Sequence, residues 1–245
     1  MLVLEGEWDA ARAFARGSAS ESAADRLEAW IDTVALLLPR NKAAASALAR
    51  DGLVPALVNG AEALAPGWFA ERLHAIQGID MAQSGSTLSD AMIAALGSED
   101  VVAIPRIAAL RRVVPLMVDR VDASADGLAI GGPADLRGLD ATIELTGPGI
   151  ENAFVSAHDG ARGWRCALVA ESLAPGRYAA AVVFAGVVGR FPIVTARMPL
   201  PPLDEEFPMQ PLADRKHGWR FLVDRRSPRR RGVGRVLMKL ARKLR

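Results

Sequence analysis

In the first half of the chain, apolar positions recur at intervals of three and four residues. Ser18-Ala-Ser-Glu21 has the spacing of a capping box. After it, Leu27, Trp30, Ile31, Val34, Leu37 and Leu38 fall on one face of a helix that Pro39 ends. Asn41 is placed to cap a second helix, closed by Asp51-Gly52. A third is predicted from Leu53 to Leu64, with Pro55 tolerated in its first turn. Trp68, Phe69, Leu73 and Ile76 form a short stripe ending at Gly78, a helix to Leu96 follows the loop at 83–87, and Ser98 caps a last one interrupted or restarted at Pro105. Residues 1–112 therefore read as an all-α helical domain.

Near Val113 the period changes from helical to alternating. Strands are predicted at Val113–Val121, Leu128–Ile130, Ala141–Thr146, Ala153–Ala157, Trp164–Val169, Tyr178–Phe184 and Phe191–Ala196, separated by Gly, Pro and Asp-Gly turns. Short strands at this spacing predict an antiparallel β-sandwich over 113–198. Residues 199–214 are proline-rich and acidic, which predicts an extended linker. Residues 215–245 read as a basic tail, ending in an amphipathic helix over 232–245. The fold class is thus α+β multidomain.

Two stretches carry resemblances. Ala49-Arg-Asp-Gly-Leu-Val-Pro-Ala-Leu-Val58 resembles the helix junction of an armadillo-type repeat. One copy is present, where a solenoid needs about three, so a helical bundle is the expectation. Leu173-Ala-Pro-Gly-Arg-Tyr178 and the alternating residues after it resemble the late hairpin of Ig-like or fibronectin-like domains, which implies an Ig-like sandwich. A fold of that kind does not specify a function.

Composition narrows the classes. With 51% apolar residues in 245, wholesale disorder is excluded and there is length for a substantial core. The longest apolar run, 178–188, falls well short of the ~20 residues of a membrane span. The N-terminus lacks a signal-peptide pattern, and the single cysteine, Cys166, rules out an intrachain disulfide. A cytoplasmic protein is expected. The net charge of +2 hides a division: residues 215–245 hold 13 Lys or Arg against one acid, whereas 1–214 carry a net charge of −10. Such asymmetry points to an anionic partner for the basic part.

Catalytic chemistry is sparsely represented. The histidines His74, His158 and His217 are isolated, and no HExxH, P-loop, GxSxG or CxxC motif occurs. His158-Asp159 is predicted on a turn, and Cys166 alternates inward with Leu168 as a small core residue. No cofactor is predicted. Asp122, Ser124 and Asp126, followed by Gly127, place oxygens at the first, third and fifth positions of a calcium-type loop. The twelfth position is Pro133 rather than a glutamate, and the segment lies between strands, so an Asp-Gly hairpin turn is the expectation.

In the tail, Arg225, Arg226, Arg229, Arg230 and Arg231 precede Val233, Val236, Leu237, Leu240 and Leu244, which fall within one arc of a helix. Arg235, Lys239, Arg242, Lys243 and Arg245 populate the other side. Three partners suit such a helix: an anionic membrane surface, which matches both faces; an acidic protein partner or the chain's own body; and nucleic acid, bound through the arginines. The resulting expectation is a non-enzymatic binding or adaptor protein held by its tail, peripherally at the inner face of the membrane. The rival is an enzyme or accessory subunit, transferase-like, with a site between the two domains.

Overall fold

The computed structural model describes residues 22–160, 163–195, 207–212 and 218–224. The chain is α+β and divides into two compact units: a helical unit of the described residues up to Arg112 with Gly186–Gly189, and a β unit of Val113–Ala185 with the described residues from Arg190. No helix among the described residues is long and apolar enough to cross a membrane.

Helix α1 (Ala23–Leu37) opens on a reciprocal capping box. The Asp25 amide donates to Ser22 Oγ at 3.2 Å and the Ser22 amide donates to the Asp25 carboxylate at 3.1 Å. The box therefore sits at Ser22, and the stretch expected to form it, 18–21, lies outside the described residues. Leu27, Ile31 and Val34 are buried on one face. Asn41 caps α2 (Lys42–Leu48) by accepting from the Ala44 amide at 3.0 Å. The stop expected at Asp51-Gly52 is a π-helical turn instead, Ala49–Leu53, leading directly into α3 (Val54–Gly60). Gly52 is needed there because a Cβ would collide with the Trp30 indole. Pro55 lies just inside α3, where the widened turn accommodates its missing N–H.

In α4 (Pro66–Arg72), Phe69 is buried and meets Trp68 edge to face at 5.0 Å. Arg72 lies over the Trp68 ring and reaches Glu28 at 3.2 Å. Helices α5 (Thr87–Gly97) and α6 (Ala103–Leu110) complete the unit, and Ile104, Ile107, Ala108 and Leu110 enter its core. Ahead of α6, the Asp100 carboxylate accepts from the Ala103 amide at 3.1 Å.

The β unit holds two sheets. In the first, β1 (Leu116–Val118) pairs in parallel with β9 (Phe191–Thr195), which pairs antiparallel with β8 (Gly176–Phe184). On the other edge of β8 lies β4 (Ala141–Gly147), followed by β5 (Ile150–Ser156). The second sheet runs β2 (Arg120–Ala123), β3 (Gly127–Gly132), β7 (Gly163–Val169) and β6 (His158–Gly160), all antiparallel. Alternation sets one buried face per strand: Trp164, Cys166 and Leu168 on β7, and Tyr178, Ala180, Val182 and Phe184 on β8.

Two expectations give way at the C-terminal side. Within the predicted linker, Met209–Leu212 forms strand β10. Within the predicted basic tail, Arg220–Val223 forms strand β11, which pairs with β10 and with Gly176–Ala179 of β8. The reason is local: Trp219, Phe221 and Val223 are all buried and alternate with the half-buried Arg220 and Leu222. Phe221 stacks on Tyr178 at 5.3 Å, and Trp219 lies 5.4 Å from Phe221. Strands β9 and β11 share one edge of β8 end to end. Trp219 joins them, its amide donating to the Ile193 carbonyl at 2.8 Å and its carbonyl accepting from Ala180 at 3.0 Å. Pro211 sits on β10, an edge position that does not require its N–H.

Single long-range contacts hold the strand ends. The Tyr178 hydroxyl meets the carbonyls of Ala174 at 3.0 Å and Pro148 at 3.1 Å, and the ring covers Gly147, where a Cβ would clash. The Trp164 indole N–H donates to the Met117 carbonyl at 3.2 Å, and that carbonyl also packs against Gly132.

Candidate functional site

The Asp122–Gly127 stretch is the β2–β3 hairpin. The Ser124 amide donates to the Gly127 carbonyl at 2.9 Å, and the Asp126 amide donates to Ser124 Oγ at 3.3 Å. The Asp126 carbonyl accepts from Ala170 at 2.8 Å, which ties the turn to the end of β7. Asp122 lies on β2, highly exposed, with a carboxylate oxygen 3.9 Å from the Arg165 guanidinium. Gly127 has no room for a Cβ because the Leu168 carbonyl packs against it. The glycine is thus accounted for by strand packing. Among the described residues, no group of three or more His, Cys, Asp or Glu is arranged to hold a metal ion.

His74 is exposed in a 3-10 turn, Leu73–Ile76, of the helical unit. His158 opens β6 and pairs in register with Arg165, so its segment is a strand rather than a turn. Cys166 is buried on β7, and burial pushes its thiol up to about 12. A thiol so placed is almost wholly protonated at neutral pH and is a poor nucleophile.

The most buried charge in the described structure is Glu144 on β4, 4% exposed. Its two oxygens meet Arg190 Nε at 2.6 Å and Nη2 at 2.7 Å, a two-pronged pair that offsets the loss of hydration. The pair is not legible in the sequence, because its partners stand 46 positions apart. A shallow depression of about 410 Å³ lies along α1, lined by Asp25, Glu28, Ala29, Asp32, Thr33 and Leu36. Three of its polar groups, Asp25, Glu28 and Thr33, already serve the fold. Asp25 belongs to the cap, and its bond to Ser22 holds its carboxyl below the usual range. Glu28 meets Arg72, and the Thr33 hydroxyl donates to the Ala29 carbonyl at 2.7 Å.

The residues expected to meet an anionic partner, Arg225 to Arg245, and the apolar arc Val233 to Leu244 lie outside the described residues. What the structure contributes is their point of attachment. Strand β11 ends at Val223, opposite Gly176, and the Asp224 amide donates to the Pro208 carbonyl at 2.8 Å. From Arg225 to the last residue, the chain holds ten Lys or Arg and no acid.

No family model matches the chain, and no curated protein matches it. Among solved structures, it is similar to one titled "Crystal structure of S. aureus TarS 217-571", with 8% sequence identity over 82% of this chain and 76% of that chain. The TM-score is 0.37, and at that value the likeness carries no argument about fold or function.

Proposed function

We propose that this chain is a non-enzymatic binding protein held at an anionic surface, the inner face of a membrane, by its basic C-terminal segment. The observation that carries the reading is the junction at Asp224: a strand built into the core is followed without a spacer by ten bases and no acid. In this reading residues 232–245 form a helix on the membrane, with Val233, Val236, Leu237, Leu240 and Leu244 in the acyl boundary. The bases of that segment lie against headgroups, each adding roughly 1 kcal/mol.

The β unit, in the same proposal, is an Ig-like sandwich that presents its loops or edges to a partner. Its pairing supports this. Lettered in chain order from β2 to β9, with β5 as C′, one sheet reads A-B-E-D and the other C′-C-F-G, the two layers of an Ig domain. Tyr178, near the start of the F strand and bonded back to Ala174, occupies the place of a tyrosine corner. The chain departs from antibody domains in having no inter-sheet disulfide and in carrying a buried tryptophan, Trp164, on the E strand.

Circular dichroism of a peptide spanning 225–245 tests the membrane role of the segment. A helix of fourteen residues is marginal alone in water, so helix content should rise on adding phosphatidylserine vesicles and not phosphatidylcholine vesicles. An unchanged spectrum with both would remove the membrane reading.

A further inference from the structure

Independently of that reading, we propose that two copies of this chain meet through the outward face of the first sheet, packed face to face about a two-fold axis. On β8, Tyr178, Ala180, Val182 and Phe184 are buried, so alternation turns Ala179, Ala181 and Val183 outward, each half-buried. Pro192 of β9 lies beside Ala181. Leu222 of β11 takes the same face, since Phe221 and Val223 on either side of it are buried. Glu144 stands on the other side of Ala181, and its two-pronged pair with Arg190 leaves no net charge there. The outward face of the second sheet is of a different kind, carrying the exposed Arg120, Asp122 and Arg165. Such charges are what a solvated sheet face ordinarily presents. The first sheet instead has an apolar centre without net charge.

The ends of this face decide what fits it. Near the start of β8 stand Arg177, exposed, and Arg220, in register with Ala179; Asp224 follows at the end of β11, which leaves a net base. At the other end stands Asp140, exposed, just before Ala141, the partner of Phe184, with its carbonyl accepting from the Ala185 amide at 3.3 Å. The two ends are opposite in sign and lie ~23 Å apart along β8. A second copy turned about an axis through the middle of β8 sets Arg177 of each copy over Asp140 of the other. The face thus complements itself, as an isologous interface requires. An anionic bilayer would be matched by bases at both ends and repelled by Asp140. Sheets packed face to face lie ~10 Å apart, a spacing that side chains as small as Ala179 and Ala181 suit. Four strands at ~4.8 Å across and ~23 Å along outline roughly 440 Å², the small end of specific interfaces, so the dimer is weak and concentration-dependent.

Sedimentation equilibrium of the full-length protein over a wide concentration range tests this. The mean mass is expected to rise towards twice that of the chain and to fall back as salt screens the end charges. Arg177→Glu and Asp140→Lys each set like charges against one another at both ends, so each variant alone should stay monomeric where the unmodified chain pairs. An equimolar mixture of the two restores attraction at both ends and should recover the dimer. Ala181→Arg puts a long side chain at the apolar centre and should abolish pairing whatever the ends carry. Asp140 has a φ of 43°, so if Asp140→Lys lowers the urea midpoint, Arg177→Glu and Ala181→Arg carry the test. A monomer at every concentration, or a dimer that Ala181→Arg leaves intact, overturns the proposal. So does a mixture that stays monomeric while both variants are folded. A monomeric chain whose binding to phosphatidylserine vesicles is lost with Ala181→Arg would assign the face to the membrane instead.

Discussion

Tyr178 shows how much one side chain can organise. Its ring covers Gly147 and stacks on Phe221, while its hydroxyl meets two carbonyls on separate loops. Tyr178→Phe keeps the stacking and removes the hydroxyl. The expected cost is about 1–3 kcal/mol, read as a lowered urea midpoint with an unchanged slope. Cys166 offers a pH test. Burial favours the neutral thiol, so the folded protein should resist a thiol reagent at pH 8 and react at once when unfolded in guanidinium. Because the folded value lies above the ordinary one, alkaline pH works against the fold. The thiol ionises more easily in the unfolded chain, and stability falls as pH rises through the ordinary thiol range towards 12. Prompt reaction in the native state would contradict the burial.

At the level of elements, the helical and alternating periods were legible. Leu27, Ile31 and Val34 were expected on the buried face of α1, and Trp164, Cys166 and Leu168 alternate inward on β7. The strand predicted over Val113–Val121 is two strands in different sheets, β1 and β2. What was illegible has a common cause: composition outweighed period. Prolines masked β10, and flanking arginines masked β11, although Trp219, Phe221 and Val223 keep a strict two-residue spacing. The candidate interface was legible only as charge and amphipathicity; its anchoring strand was not, since β11 is recognised through its pairing with β8. A measurable consequence follows from Phe221, which is fully buried. Phe221→Ala should destabilise the β unit by roughly 3–5 kcal/mol in denaturant unfolding. A change within experimental error would mean that the β10–β11 hairpin is not part of the core.

For the whole molecule, the division of charge takes on a structural boundary. The basic region counted from residue 215 includes a core strand, so the segment available to a partner begins at Arg225. A chain cut at residue 214 would lose Trp219, Phe221 and Val223 from the core, confusing loss of binding with loss of fold. A chain ending at Asp224 keeps them all. The most direct measurement is co-sedimentation of the full-length protein and the 1–224 chain with phosphatidylserine-containing and pure phosphatidylcholine vesicles over a salt series. The full-length protein should sediment with the anionic vesicles alone and be released as salt rises, while the 1–224 chain stays in solution. Equal behaviour of the two chains would contradict the account.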